Sequence, residues 1–214
     1  MDSNQSYLKQ IYTSRINLID YLKNMGFECG DYENFSIEEI DAMKKYSQLN
    51  FKVVRPGTTE SCYIMYKIEV GLKQNVIKKN NIEGFINEIF EDTIQIEKND
   101  TLVIITTEYA QESIHKVIKN IWENQNKFVV IFTLANLQMN ILNHTFVPKH
   151  IKLTPEEKIE FYKKFNVQYD SQLPEISRFD PVAKIIFLKP GDICKITRFD
   201  KISLTNEFYR ICVS

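Results

Sequence analysis

Three histidines, four cysteines and several paired carboxylates are the side chains that could carry chemistry here, and their spacing decides how much. His144 and His150 stand six positions apart with Pro148 between them, which does not set two imidazoles on one helix face. With only His115 besides, no third histidine lies near enough to complete a zinc-type site. Cys29, Cys62, Cys194 and Cys212 contain no close pair of the kind that binds zinc or cycles a disulfide. The six glycines are scattered, so neither GxGxxG nor GxxxxGK(S/T) is present, and no serine sits between glycines as a nucleophile. Glu38-Glu39 and Glu156-Glu157 fall in the first turns of predicted helices, where carboxylates complement the helix dipole. Glu69 and Lys73 flank Gly71 in a stretch of α/β texture, the one place to look for a nuclease. The further carboxylates that would hold Mg²⁺ beside them are missing. These residues imply no catalytic constellation, no metal and no cofactor.

The elements that must position any site are readable from hydropathy and punctuation. The chain has 214 residues, enough for one large or two smaller domains at roughly 100–200 residues each. It is 43% hydrophobic with a net charge of -1, a balance unlike that of domains that grip nucleic acid unaided. The charge is uneven. Residues 142–214 hold 12 basic and 9 acidic side chains, leaving 15 basic and 19 acidic before them, which places a boundary near Leu142.

Before that boundary, helical periodicity predicts a helix from about Asn4 to Met25, stopped by Gly26. Ser36 and Glu39 form a capping-box signature for a short helix to about Ser47, and Arg55-Pro56-Gly57 reads as a turn. Strands are predicted at Cys62–Val70, Thr101–Thr106 and Phe128–Thr133, with a further one around Met139–Leu142. An apolar periodic stretch runs from Ile82 to Ile96, and a helix from about Gln111 to Asn124. The continuous apolar runs predict strands buried on both faces, hence an α/β domain with a mixed sheet over residues 1–141.

The rest has another texture, since five of the six prolines lie in it. Thr154-Pro155 starts a predicted helix to about Phe165, and Asp180-Pro181 a shorter one through about Phe187. Pro190-Gly191 is a turn, and Ile193–Arg198 and Phe208–Val213 are strands closing a compact α+β module over residues 142–214. No stretch approaches the roughly 20 apolar residues of a membrane span, and the N-terminus lacks the apolar run of a signal peptide. The expectation is a soluble, intracellular, reduced protein.

A series of residues in this second part carries a resemblance. It runs His144-x-x-Val147-Pro148-Lys149-His150, Leu153-Thr154-x-Glu156-Glu157, Gln172-Leu173-Pro174-x-Ile176, Asp180-Pro181-Val182-Ala183, Gly191, Lys195-Ile196-x-Arg198 and Tyr209-Arg210. In order and spacing it resembles the assembly domain of the small common subunit of archaeal RNA polymerases. The same domain closes that protein's eukaryotic counterpart, the fifth-largest polymerase subunit. The first part is similar to the additional jaw domain of the eukaryotic type, through its opening helix, Gly26-Phe27, Val70-Gly71-Leu72-Lys73 and the apolar strand at Leu102.

The resemblance implies a non-catalytic polymerase subunit that docks on the largest subunit. It implies that His144, Val147, Pro148, His150, Pro174, Asp180, Pro181, Gly191, Arg198, Tyr209 and Arg210 serve that contact. Guanidinium forks at Arg198 and Arg210 suit carboxylates or carbonyls of a partner as well as the module's own structure, whereas the prolines and Gly191 suit the module's own turns better than a contact. It also implies that the jaw lies beside downstream double-stranded DNA, with Thr107, Tyr109, Gln111, Lys116 and Lys119 nearest. No membrane is implied.

The sequence departs from the family at three places: the 107–111 loop has no proline, Pro190 replaces an arginine, and Phe199–Glu207 lacks a glycine turn. Such drift fits a divergent lineage or a large DNA virus. The expected location is the nucleus for a cellular protein, and the cytoplasm or virion for a viral one. Two other readings stay open, a free-standing transcription-regulator adaptor and a degenerate nuclease-like enzyme.

Overall fold

The computed structural model describes residues 3–68, 79–87, 89–90, 100–107, 110–201 and 204–214. The chain divides into two compact units, Met1–Met139 and Asn140–Ser214.

The first unit opens with α1 (Ser3–Asn24), which buries Ile11, Leu18, Ile19 and Leu22 and ends where Gly26 takes a φ of 83°. The capping box of α2 (Ile37–Lys45) is complete: Glu39 N–H donates to Ser36 Oγ at 3.2 Å and Ser36 N–H to Glu39 at 2.7 Å. Between α1 and the sheet the buried Arg15 donates to the Leu49 carbonyl at 3.0 Å. Its guanidinium lies 4.4 Å from the centre of the Phe51 ring, a cation–π contact.

A mixed sheet follows in the order β1-β2-β3-β4. β1 (Phe51–Val54) and β2 (Ser61–Lys67) are antiparallel across the Arg55–Gly57 turn, and β2, β3 (Thr101–Thr106) and β4 (Phe128–Thr133) are parallel. Every residue of β3 and β4 is buried, as their unbroken apolar runs require. Within the predicted 82–96 stretch the helix is α3 (Lys79–Asn87), with Ile82 and Ile86 buried; residues 91–96 lie outside those described. The crossover from β3 to β4 is α4 (Glu112–Gln125), which turns Ile114, Val117, Ile118 and Ile121 inward and closes on the left-handed Asn126. Glu69, Val70, Gly71, Leu72 and Lys73 also lie outside the described residues.

The strand expected at Met139–Leu142 is absent; 3₁₀ turns stand at Ala135–Leu137 and Ile141–Asn143 instead. Local amides outcompete the ladder there. Asn136 Oδ1 accepts from Thr133 N–H at 3.1 Å, and Asn140 Oδ1 from Leu142 N–H at 3.1 Å. The carbonyls that a neighbouring strand would need are taken by α1: Asn17 donates to Leu137 and Tyr21 to Met139.

In the second unit the sheet order is β5-β7-β8-β6, from β5 (Lys149–Lys152), β6 (Glu175–Ser177), β7 (Ile193–Asp200) and β8 (Leu204–Val213). The two short edge strands were not predicted, and the β7–β8 hairpin is longer than expected. α5 (Pro155–Lys164) starts at a second capping box, Thr154 with Glu157. It lies against one sheet face, where Phe161 meets Tyr209 with ring centres 4.5 Å apart. α6 (Pro181–Ile185) covers part of the other face, joining Ala183 and Leu188 to Ile176, Cys194, Ile196 and Cys212. α6 stops two residues before the predicted Phe187. Phe187 takes a φ of 50°, and Leu188 N–H closes back on the Ala183 carbonyl at 2.9 Å, a Schellman-type ending.

Candidate functional site

α6 has only five residues; with Leu188 it covers Ile176, Cys194, Ile196 and Cys212 and leaves Arg198 and Phe208 of that face exposed. The register shows which side chains share that face. His150 of β5 is opposite Ile196 of β7, and Ile196 is opposite Phe208 of β8, making one rung across three strands. Arg198 lies two residues along β7, and Arg210 two residues along β8, so both flank that rung on the same face.

Each polar member has a defined state. His150 Nδ1 lies 2.6 Å from the Pro148 carbonyl; since a carbonyl only accepts, Nδ1 carries the proton and Nε2 of a neutral ring is left to accept. The exposed Arg198 guanidinium sits 5.0 Å from the centre of the Phe208 ring, which is itself 45% exposed. Arg210 Nη1 donates to the Glu175 carbonyl at 3.0 Å. Neither arginine forms an ion pair among the described residues. The result is the exposed Phe208 ring between two planar cations, an arrangement that suits carboxylates or carbonyls presented by another protein.

The other sequence-predicted residues are placed differently. Tyr209 is on the opposite face, packed on Phe161, with its hydroxyl donating to Glu207 at 3.0 Å. Pro174 gives its carbonyl to Ile211 N–H, and Gly191, at φ 89°, gives its N–H to Cys212 and its carbonyl to Lys158 Nζ. His144 Nδ1 accepts from Phe146 N–H in the loop before β5, and Val147 and Pro148 are half-buried there. Asp180 Oδ1 accepts from Val182 and Ala183 N–H at 2.9 and 3.2 Å, capping the helix that Pro181 begins. Asp180→Ala is expected to cost the unit about 1–2 kcal/mol in urea unfolding, and Asp180→Asn much less.

The sequence marks Phe208 only as a strand start; its place on the face comes from alternation with Arg210. Lys152 was missed. It is opposite Cys194, and its Nζ is 2.7 Å from Asp192.

Of the residues considered for DNA, Thr107 and Gln111 lie between β3 and α4, and Lys116 and Lys119 lie within α4. Thr107 follows β3 and is exposed, Gln111 is the N-cap of α4 without a side-chain cap bond, and Tyr109 lies outside the described residues. Lys116 faces Glu112 at 3.6 Å and Lys119 faces Glu123 at 3.8 Å, each one helical turn away. Such exposed pairs contribute only about 0.3–0.5 kcal/mol and leave the cations accessible.

The four cysteines are buried and unpaired as disulfides, and burial pushes the Cys212 thiol up to about 12 and Cys194 up to about 11. They are core residues rather than nucleophiles. Among the described residues no group of three or more His, Cys, Asp or Glu side chains could hold a metal ion. None of their helices is long and apolar enough to cross a membrane.

The second unit is thus a small α+β module with Arg198 and Arg210 on one face of its sheet. The family model for the "RNA polymerase Rpb5, C-terminal domain" matches residues 139–212. The chain is 38% identical over 79 residues to the DNA-directed RNA polymerase subunit Rpo5 of Thermococcus kodakarensis, covering 37% of this chain and 95% of that protein. It is 43% identical over 82 residues to subunit rpabc1 of RNA polymerases I, II and III of Dictyostelium discoideum. That match covers 38% of this chain and spans only 41% of the relative's length. With subunit 5B of RNA polymerases IV and V of Arabidopsis thaliana it shares 26% identity over 205 residues, 95% of this chain and 89% of that protein. The chain belongs to the family of small RNA polymerase subunits that contains these proteins.

Proposed function

We propose that this chain is a non-catalytic structural subunit of a multi-subunit DNA-dependent RNA polymerase. Its second unit docks on the largest subunit, and its first unit forms part of the jaw near downstream DNA. The observation that carries the docking is the sheet face where the exposed Phe208, on one rung with the buried Ile196 and the half-buried His150, stands between Arg198 and Arg210. Carboxylates or carbonyls of the partner take the two guanidiniums, and an apolar side chain covers Phe208. Thr107 and Gln111, with the exposed Lys116 and the half-buried Lys119, are the described groups that would face phosphates. Likeness over 95% of this chain to a plant polymerase subunit supports a role for the first unit in the same assembly.

Affinity purification of the tagged chain from its native source tests the reading. Stoichiometric recovery with two very large polymerase subunits is expected. Arg198→Glu with Arg210→Glu should lower that recovery at least about tenfold while the chain stays folded, the loss expected when buried charge pairs are reversed. Recovery alone, or with small regulators only, defeats it and favours an adaptor.

A further inference from the structure

β8 is paired along almost its whole length on one side and over only three residues on the other. β7 matches it one for one from Leu204 to Ile211, whereas β6 pairs only with Ile211–Val213. Two sets of bonds fix the phase of the backbone. Cys212 donates its N–H to Asp192 and accepts from Gly191, at 2.8 and 2.9 Å, so even-numbered β8 residues face β7. Ile211 N–H donates the opposite way, to the Pro174 carbonyl at 2.9 Å. Thr205, Glu207 and Tyr209 therefore turn their N–H and C=O groups to the outer edge. None of those groups has a backbone partner among the described residues.

Exposed edges are commonly blunted by lysine, proline or a bulge. From Leu204 to Arg210 there is no lysine and no proline, and the unbroken register with β7 leaves no room for a bulge. A row of unpaired, alternately directed backbone groups is matched by one kind of occupant, another extended backbone. The side chains beside the edge then specify its chemistry. On the α5 side Glu207 is held by Lys195 at 2.5 Å and by Tyr209 at 3.0 Å. On the α6 side Phe208 and Arg210 border the edge with Arg198 behind them, and these two cations are not ion-paired among the described residues.

We propose that the outer edge of β8 receives an extended segment of a partner protein. It adds as a further strand in line with β6 and carries acidic side chains on the α6 side. Cross-strand carboxylates would meet Arg210 directly, with Arg198 one strand further in on β7. This goes beyond the docking face, since it concerns backbone groups at the sheet's edge and holds for the isolated chain.

The test uses the full chain and a capped seven-residue peptide of alternating glutamate and valine, with a lysine–valine peptide as its counterpart. NMR hydrogen exchange is expected to show the glutamate peptide slowing the amides of Thr205, Glu207 and Tyr209, but not those of Asn206 and Phe208. Glu207→Pro removes an outward N–H and spares the β7 ladder. Glu207→Ala loses the same carboxylate and keeps that N–H. The proline variant should bind the glutamate peptide at least about tenfold more weakly than the alanine variant, a loss of about 1.4 kcal/mol. Arg210→Glu should shift preference to the lysine peptide, a second measurement that stands if the proline variant does not fold. No binding at millimolar peptide, binding without protection of the three amides, or indifference to peptide charge would each overturn the proposal. These outcomes are separate from co-purification with the large subunits, so the two readings fail independently.

Discussion

Leu188→Ala is expected to remove about 3–5 kcal/mol from the second unit. For a unit the size of Asn140–Ser214, roughly 0.05–0.15 kcal/mol per residue gives a total on the order of 4–11 kcal/mol. The loss is therefore a large share of what holds the module together. Leu188 is fully buried, in a cluster with Ile176, Ala183, Cys194, Ile196 and Cys212, and this core is small. The void cannot easily collapse, because the backbone on both sides is tied down. Leu188 N–H closes α6 on Ala183, its carbonyl accepts from Cys212 Sγ at 3.5 Å, and the next turn is pinned by Lys189 N–H on Asp192 at 2.7 Å. Urea unfolding followed through the amides of β7 and β8 should show the midpoint fall sharply. Leu188→Met, which conserves volume, should cost less than about 1.5 kcal/mol. An unchanged midpoint for the alanine variant would mean that this cluster is not the core of the module.

The elements whose signal is local were legible from the sequence. Both capping boxes, Ser36 with Glu39 and Thr154 with Glu157, are made by residues three apart, so the chain spells them out directly. β3 and β4 were legible because an unbroken apolar run bounded by polar residues has few other uses in an α/β unit. β1, β5 and β6 were not. Each has three or four residues, and β6 exists only because Glu175–Ser177 finds Ile211–Val213 some thirty-five residues later. Nothing within a short window encodes that pairing. The expected strand at Met139–Leu142 failed for the converse reason, since the Asn140 amide and the Tyr21 hydroxyl of α1 claimed its backbone groups.

The candidate face shows the same division. Alternation along one strand puts Phe208 and Arg210 on a common face, which the sequence contains. That Arg198 and His150 join them depends on the registers of β7 with β8 and of β5 with β7, which it does not display. Tyr209 marks the limit. It adjoins Arg210 in sequence, yet a period of two sends it to the other face and into contact with Phe161. Proline, glycine and Asp180 positions proved to hold turns and caps, through which they shape the face without standing on it.

Asp100→Ala is expected to destabilise the first unit by about 3 kcal/mol, through loss of bonds to a buried carboxylate. Asp100 is nearly fully buried just before β3 and reaches the first residue of β2, accepting from Ser61 N–H at 2.8 Å and from Ser61 Oγ at 2.6 Å. β2 and β3 are parallel, with no tight turn between them to set their alignment, and the next residues, Cys62 and Thr101, form the first pair of the ladder. The carboxylate thus works as a register pin. Alanine leaves the Ser61 amide and hydroxyl in the interior without their acceptor, whereas Asp100→Asn keeps one acceptor oxygen and should lose about half as much. Unfolding followed by Trp122 fluorescence reads this unit, because Trp122 sits on α4 against Phe128 of β4, ring centres 5.7 Å apart. Equal losses for the two variants would show that the site needs the charge itself rather than an acceptor. The consequence reaches the other end of the strands: the same ladder ends at Lys67 opposite Thr106, and Thr106 opposite Thr133, so the register set at Asp100 fixes where Thr107 and the loop into α4 begin. The jaw surface proposed at that loop would then be weakened by a substitution at the far end of β3, with none of the loop's own side chains changed.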